Sequence, residues 1–296
     1  MSRLHKSYVY ALLAVFFWST IPTAFKISLR ELDVLPMLTI ASLTSATVLL
    51  VIIIAGNKTH LLVMNSAREL ISSALLGLIN PALYYIILLN AYKLLPAQIA
   101  QPLNMIWPII LVFLSVPLLK QKIKARSYVA LLISFAGVYV ISSQGNLFSR
   151  GQADIKGVLL ATGSSVFWAL YFILNVRDKR DEAVKLFLNF LFGSLYLVIA
   201  LLFSHKWQIT GPAVKGMTAA IYVGVFEMGI AFLFWLKALQ TAETSDRISN
   251  LVYLAPFLSL VFIHFILHEP VYYTTPAGLV LIIAGIWLQN RRTATV

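Results

Sequence analysis

The sequence predicts an all-α integral membrane protein with ten transmembrane helices. Of its 296 residues, 60% are hydrophobic and 11% are charged, and the mean hydropathy is +0.86. Soluble domains average about 45–50% apolar and about 25% charged residues. A soluble chain of this length could not bury so much apolar surface, and a disordered chain would contain far less of it. The composition therefore excludes both classes, and the distribution of apolar runs and basic residues supplies the rest of the prediction.

Ten apolar runs account for most of the chain, and each is close to the roughly 20 residues that a helix needs to cross a bilayer. They cover residues 8–27, 34–55, 70–92, 96–118, 127–143, 157–175, 186–204, 216–237, 247–267 and 271–290. The first run follows two basic residues, as a signal peptide would. Trp18 and Pro22 fit poorly in a cleavable segment, so we expect the run to be a retained helix.

Basic residues indicate the topology. The net charge is +12, which in a soluble protein would suggest nucleic acid. Here the basic residues stand singly or in short clusters between apolar runs, so we expect no nucleic-acid partner. With a cytoplasmic N-terminus, 16 of the 23 Lys and Arg residues fall on the inner side. The positive-inside rule therefore predicts a multi-pass protein of the plasma (inner) membrane with both termini in the cytoplasm.

The two halves of the chain resemble each other, which predicts one repeat over residues 1–145 and a second over 152–296. The recurring pairs are Phe17-Trp18 with Phe167-Trp168, at an offset of 150, and Trp107-Pro108 with Ala255-Pro256 and Ala136-Gly137 with Ala284-Gly285, at an offset of 148. Each half holds five runs, an odd number, so the second half must enter the membrane from the opposite face. Substrates of transporters with such inverted repeats bind near the midplane, where the repeats meet.

A family resemblance covers essentially the whole chain. The residues that carry it are Phe16-Phe17-Trp18-Ser19-Thr20, Asn104-Met105-Ile106-Trp107-Pro108 and Phe167-Trp168-Ala169-Leu170-Tyr171. Together with the ten runs they resemble the EamA-type branch of the drug/metabolite transporter superfamily, and among its members the aromatic amino acid exporters most. The resemblance implies a secondary transporter that exports small amphipathic metabolites, such as amino acids, by alternating access. The chain departs from it at Lys120-Gln121 and His268-Glu269, where family repeats often carry Gly-Glu.

Glu227 is the only formally charged residue deep within an apolar run. A charged side chain at mid-helix costs roughly 2.5–3.5 kcal/mol on insertion scales, so such residues usually face the protein interior and are functional. We predict that Glu227 couples transport to protons or binds an ammonium group. The alternative is a protonated or hydrogen-bonded carboxyl group that fixes helix packing. Its repeat counterpart, at an offset of 147, is Asn80, which suggests polar groups at equivalent positions of a central cavity.

Aromatic residues near the middle of several runs predict a substrate pocket. An indole N–H group that faced lipid at this depth would lack a hydrogen-bond partner. Aromatic rings would also suit planar or cationic substrates through stacking and cation–π contacts. The alternative for any single ring is core packing. The predicted substrate-binding residues are Trp18, Asn80, Tyr84, Asn104, Trp107, Trp168, Tyr171 and Tyr253.

Several function classes remain open or are disfavoured. Without cysteine, the chain has no disulfides or thiolate metal sites, and no metal-ligand cluster appears, so we expect no cofactor. The expected partners are a small-molecule substrate, the lipid bilayer and, for a coupled mechanism, protons, with the protein a monomer or homodimer. Alternatives within transport are an uncoupled facilitator and an uptake permease of organic cations or metabolites. An alternative of another class is an intramembrane enzyme that uses Glu227 and His264 as an acid/base pair.

Overall fold

The computed structural model describes residues 3–119, 125–146, 153–204, 213–241 and 250–290, and these are helical almost throughout, without a β-strand. Within these ranges, six helices are long and apolar enough to cross a membrane: Lys6–Leu29, Val34–Ala55, Ala67–Leu94, Ile155–Asn175, Glu182–Ser204 and Val214–Trp235. Three further apolar helices are shorter: Tyr128–Ser142, Leu254–Leu267 and Thr274–Leu288. The prediction of an all-α, multi-pass integral membrane protein is thereby confirmed.

The helices are numbered in chain order. They are α1 (Arg3–Leu29), α2 (Val34–Ala55), α3 (Ala67–Leu94), α4 (Ala97–Asn104 and Trp107–Leu119), α5 (Ala125–Ser142), α6 (Ile155–Arg177), α7 (Glu182–Ser204), α8 (214–241), α9 (250–267) and α10 (Thr274–Asn290). A one-turn helix, His60–Val63, precedes α3. The start of α3 is fixed by a capping box, in which Ser66 and Glu69 each accept a hydrogen bond from the other's backbone N–H.

Three helices are irregular in the middle. Helix α3 contains a π-helical stretch, Leu78–Leu83, where Asn80 departs from helical geometry (φ −145°, ψ 118°) directly before Pro81. Helix α8 contains a longer π-helical stretch, Val223–Ile230, which includes Glu227. Helix α4 is interrupted between Asn104 and Trp107. Proline removes a backbone donor, and π-helical turns recur at functional sites, so these breaks mark the regions where local geometry departs from a regular helix.

Close packing of α3 on α7 and of α8 on α2 depends on glycine. A Cβ atom on Gly77 of α3 would lie 2.4 Å from the backbone oxygen of Asn189 in α7. A Cβ atom on Gly224 of α8 would likewise lie 2.4 Å from the backbone oxygen of Ala41 in α2. Small residues let membrane helices approach until their backbones touch, which is the main source of packing energy in lipid.

Helices α5 and α10 cross each other, and at two positions along them a glycine lies against the backbone of the other helix. A Cβ atom on Gly137 of α5 would lie 2.6 Å from the backbone oxygen of Gly278 in α10. A Cβ atom on Gly285 of α10 would lie 2.7 Å from the backbone oxygen of Ala130 in α5. The two helices therefore form a tightly packed pair.

Large apolar side chains remain exposed on the outer faces of the helices. Leu132 of α5, Leu159 of α6, Phe203 of α7 and Phe265 of α9 are each more than 60% exposed. In water such surfaces would drive aggregation, whereas lipid chains solvate them. Inside, by contrast, α2 and α7 are joined by a hydrogen bond of 2.7 Å between the hydroxyl groups of Ser42 and Ser194.

Candidate functional site

A cavity of about 360 Å³ lies between helices α1, α3, α4, α6, α7, α8 and α9, and we call it the aromatic cavity. Six of the eight predicted substrate-binding residues line it: Trp18, Tyr84, Asn104, Trp107, Trp168 and Tyr171. Glu227 lines it as well. Residues separated by up to 209 positions in the chain thus share one cavity, which is of the size that small-molecule sites usually have.

Trp168 of α6 lies at the centre of the aromatic wall. Its ring centroid is 5.1 Å from that of Tyr84, 5.6 Å from that of Phe232, 6.1 Å from that of Tyr171 and 6.4 Å from that of Trp107. These separations are in the range of favourable aromatic pairs. The rings therefore hold one another in place and present a preformed apolar surface to the cavity.

A second aromatic group extends the wall toward α1. The ring of Trp18 lies 5.3 Å from that of Trp235 and 6.1 Å from that of Phe232. Phe232 also contacts Trp168, so the side chains from α1, α6 and α8 form a continuous series. Sequence reasoning did not select Phe232 or Trp235 as site residues, because a lone aromatic residue in an apolar run is most often core packing.

Asn104 is the polar junction of α3, α4 and α6. Its Oδ1 atom accepts a hydrogen bond of 3.2 Å from the Tyr84 hydroxyl group, and its Nδ2 atom donates one of 2.7 Å to Ser164 Oγ. Its backbone oxygen accepts a further hydrogen bond of 2.9 Å from Ser165 Oγ. Both sides of the amide are thus occupied, and the break in α4 after Asn104 is held against α6.

Glu227 is half-buried because it faces the aromatic cavity from the π-helical stretch of α8. The hydroxyl group of Tyr85, a fully buried residue of α3, donates a hydrogen bond of 3.0 Å to Glu227 Oε1. This bond joins the two halves of the chain at mid-span. Tyr85 is not among the predicted site residues, although its neighbour Tyr84 is, and no signal in the sequence distinguishes the two.

Charged residues line one end of the aromatic cavity. Lys185 of α7 has only 4% of its side chain exposed, and its ammonium group lies 2.7 Å from Glu182 Oε2. The same group donates hydrogen bonds of 3.0 Å to the Asp178 backbone oxygen and 3.3 Å to that of Asn175. Both Lys185 and Glu182 line the cavity, and neither was predicted as a site residue. In the sequence Lys185 counts only as a basic residue before an apolar run, which indicates topology.

The connection between α6 and α7 is anchored next to these residues by two ion pairs. Arg180 Nη2 lies 2.5 Å from Asp178 Oδ2 and also donates to Ser73 Oγ of α3 at 2.7 Å. Lys58 Nζ lies 2.6 Å from Asp181 Oδ2. Burial acts to raise the pKa of both aspartates, but their hydrogen bonds and cationic partners outweigh it, so each pKa lies below the ordinary value of 3.8.

Two predicted substrate-binding residues are not placed in the aromatic cavity by the structure. Asn80 is fully buried and does not line the cavity, and its amide atoms have no hydrogen-bond partner among the described residues. Its segment of α3 packs on α7, where a Cβ atom on Gly193 would lie 2.4 Å from Pro81 Cδ. Asn80 therefore lacks the exposure to the aromatic cavity that Glu227 has. The side chain of Tyr253 lies outside the described residues.

The structure does not bring His264 together with Glu227. The side chain of His264 is exposed, and its Nδ1 atom lies 3.4 Å from the backbone oxygen of Glu269. It does not line the aromatic cavity. Within the part of the chain that the structure describes, no group of three or more His, Asp or Glu side chains is arranged to hold a metal ion.

Comparisons with known proteins identify the family to which the chain belongs. The model of the EamA-like transporter family matches residues 5–143 and again residues 155–291. An uncharacterized transporter of Bacillus subtilis, YvbV, is 27% identical over 83% of this chain and 79% of its own length. An uncharacterized transporter of Archaeoglobus fulgidus is 26% identical over 97% of this chain and 99% of its own.

A relative with a named substrate class is the aromatic amino acid exporter YddG of Ancylobacter novellus, which is 25% identical over 60% of this chain and 61% of its own. A crystal structure with 18% sequence identity superposes with a TM-score of 0.65 and covers 97% of both chains, which supports the fold alone. The family model accounts for most of the chain and confirms the resemblance seen in the motifs. The chain therefore belongs to the EamA-like transporter family.

Proposed function

We propose that this protein is a secondary transporter that exports small amphipathic metabolites, in particular amino acids, from the cytoplasm by alternating access. The observation that carries the proposal is the aromatic cavity, which combines four tryptophan rings with the mid-span carboxyl group of Glu227. Aromatic surface would bind the apolar part of a substrate, and the polar groups would orient its charged part. Family membership supports transport, and the similarity to the exporter YddG favours amino acids as the substrate class.

Ten transmembrane helices in two inverted repeats, residues 1–145 and 152–296, form the architecture of this proposal. Packing contacts support it, because the pair Gly77 and Asn189 has a counterpart in Gly224 and Ala41. The two glycines are 147 positions apart, and the two residues whose backbone oxygens they approach are 148 apart, so exchanging the halves exchanges the two contacts. The family model also matches each half separately.

The alternating motion would open links between the two halves on one side of the membrane at a time. On the predicted outer side, Glu31 Oε2 accepts a hydrogen bond of 2.6 Å from Gly216 N, and Glu269 Oε2 accepts one of 2.9 Å from Ala97 N. On the predicted inner side, the Lys58–Asp181 ion pair joins the halves. The aromatic cavity reaches Glu182, whose side chain is 33% exposed, and in the proposed topology this would be a conformation open toward the inner side.

Glu227 would couple the motion to protons. Its bond with Tyr85 links α8 of the second half to α3 of the first. A carboxylate accepts a hydrogen bond more strongly than a protonated carboxyl group does. Proton binding at Glu227 would therefore weaken this link between the halves and favour their relative movement.

Transport by purified protein tests the proposal. Proteoliposomes with a broad amino acid panel inside should release one or more of these solutes, and an imposed proton gradient should change the rate. Glu227→Gln should keep solute exchange and lose its pH dependence. Wild-type protein that moves no member of the panel would refute the amino acid exporter, and unchanged pH dependence in Glu227→Gln would refute the coupling role.

An uncoupled facilitator or an uptake permease of organic cations is the second candidate. The observation that favours it is the position of Glu227 among tryptophan rings, since aromatic faces and a carboxylate together attract organic cations. Transport of quaternary ammonium compounds in preference to amino acids, without response to a proton gradient, would select it. The protein is expected to act as a monomer or a homodimer in a lipid bilayer of the plasma (inner) membrane.

A further inference from the structure

The aromatic cavity carries its charges unevenly. Among the described residues that line it, Lys185 is the one basic residue, and Glu182 and Glu227 are the acidic ones. Lys185 and Glu182 form an ion pair at one end, whereas Glu227 bonds to Tyr85 at mid-span. One end of the cavity therefore offers both a cation and an anion within a few ångströms of each other.

The spacing of residues along α6 gives the distance between this ion pair and the aromatic wall. Trp168, Tyr171 and Asn175 of this helix all line the cavity, at the spacing of one helix face. Seven residues of helix from Trp168 to Asn175 span about 10 Å. Because the Asn175 backbone oxygen accepts a hydrogen bond from Lys185, the ion pair lies about that far along the axis from the central tryptophan. A polar end and an aromatic middle are thus separated by roughly the length of one amino acid.

The ion pair also lies on the route to the predicted inner face. A second cavity, of about 510 Å³, is lined by Gly56, Lys58, Asp181 and Lys237 together with apolar residues of α2 and α8. Glu182 lines this cavity as well as the aromatic cavity. A solute that entered from the inner side through the second cavity would meet Glu182 and Lys185 before it reached the tryptophans.

We infer that Lys185 and Glu182 bind the charged head of a zwitterionic amino acid, with its carboxylate on Lys185, its ammonium group on Glu182 and its side chain in the aromatic cavity. The inference rests on the proposed function and names the substrate class and two specificity residues. Binding exchanges one internal ion pair for two pairs with the substrate, so no charge is left without a partner. The backbone oxygens of Asn175 and Asp178 hold the Lys185 ammonium group in place during the exchange.

Substrate analogues that lack one charge test the two contacts separately. The amino acids are phenylalanine and leucine. Their amines, phenethylamine and isoamylamine, lack the carboxylate, and their deaminated acids, 3-phenylpropionate and 4-methylvalerate, lack the ammonium group. In proteoliposomes, Lys185→Gln should lower kcat/KM for each amino acid about 10- to 100-fold, the range for a lost hydrogen bond to a charged group, and leave that for its amine unchanged. Glu182→Gln should lower kcat/KM for the amino acid similarly and leave that for the deaminated acid unchanged.

The control variant is Lys93→Gln, which breaks the exposed ion pair between Lys93 and Asp33 and lies outside both cavities. It should leave the ratio of kcat/KM for the amino acid to kcat/KM for the amine unaltered. Each result is a ratio of two kcat/KM values measured on the same variant, so a lower amount of folded protein does not change it. An equal loss for amino acid and amine in Lys185→Gln would show a structural role and overturn the inference.

A binding readout separates this inference from the transport proposal. In detergent, phenylalanine or leucine should raise the melting temperature of wild-type protein more than the corresponding amine does. Lys185→Gln should abolish that difference. If the difference is present in a protein that transports none of the probes, the binding site stands and the exporter fails. If wild-type protein transports amino acids but never distinguishes them from amines, the exporter stands and the head-binding site fails.

Discussion

The glycine contacts give a stability prediction that can be worked from distances. Replacing Gly224 by alanine would bring the new Cβ atom to 2.4 Å from the Ala41 backbone oxygen and 2.6 Å from Thr44 Cβ. Neither atom can move without a shift of α2, so the substitution overpacks the interface. Overpacking of a well-packed site costs about 1–3 kcal/mol. Alanine regains about 0.5–1 kcal/mol of helix propensity, so the net destabilisation lies within about 0–2.5 kcal/mol, and we expect about 1 kcal/mol.

The chain supplies both a repeat-related variant and a control for this prediction. In Gly77→Ala the new Cβ atom would lie 2.4 Å from the Asn189 backbone oxygen and 2.8 Å from Gly193 N. The free energy of unfolding should therefore fall by as much in Gly77→Ala as in Gly224→Ala. Gly163 has no atom within 4 Å of its Cβ position, so Gly163→Ala should be neutral or more stable by up to about 1 kcal/mol. Unfolding by denaturant in mixed micelles measures all three. Equal stability of the three variants would refute the packing argument and, with it, the structural support for the repeats.

Further predictions concern the aromatic cavity and the connection between α6 and α7. Trp168→Ala removes the ring that contacts four others and should raise the apparent KM for a transported amino acid about tenfold, equivalent to about 1.4 kcal/mol. Trp287→Ala, on the exposed face of α10, should leave this KM unchanged. Initial transport rates in proteoliposomes measure both. The pKa values of Asp178 and Asp181 lie below the ordinary value of 3.8 in the folded protein, so their ion pairs contribute full stability above that value. This contribution is lost as the pH falls through the lower folded pKa values. The melting temperature, measured between pH 3 and 7, should fall at the acidic end for wild-type protein and should fall less for Asp181→Asn.

Those site residues that carry a local signal could be predicted from the sequence. Glu227 is conspicuous because a charge within an apolar run is rare, and Trp18, Trp107 and Trp168 because indole rings are unusual at mid-span. The structure places all four side chains on the aromatic cavity. Such signals need no knowledge of which helices are neighbours, since the membrane itself makes a polar or amphipathic group at that depth exceptional.

Other site residues depend on tertiary structure and gave no such signal. Lys185 lies near the start of α7, as topology-determining lysines do, and only the structure shows that it contacts the end of α6 and lines the cavity. Asn80 shows the opposite case, because the repeat offset pairs it with Glu227 while the local break in α3 leaves it buried away from the cavity. Tyr85 and Tyr84 are adjacent in sequence, and the direction of each ring depends on the π-helical turn that precedes them.

The claim that this protein exports amino acids through the aromatic cavity is tested most directly by the composition of the growth medium. Metabolite profiling compares cells that produce wild-type protein, Trp168→Ala, Trp287→Ala or no protein. We expect one or a few zwitterionic amino acids to accumulate outside cells with wild-type protein or Trp287→Ala, and not outside cells with Trp168→Ala or no protein. Depletion of these solutes from the medium by wild-type cells, or equal accumulation with Trp168→Ala, would contradict it.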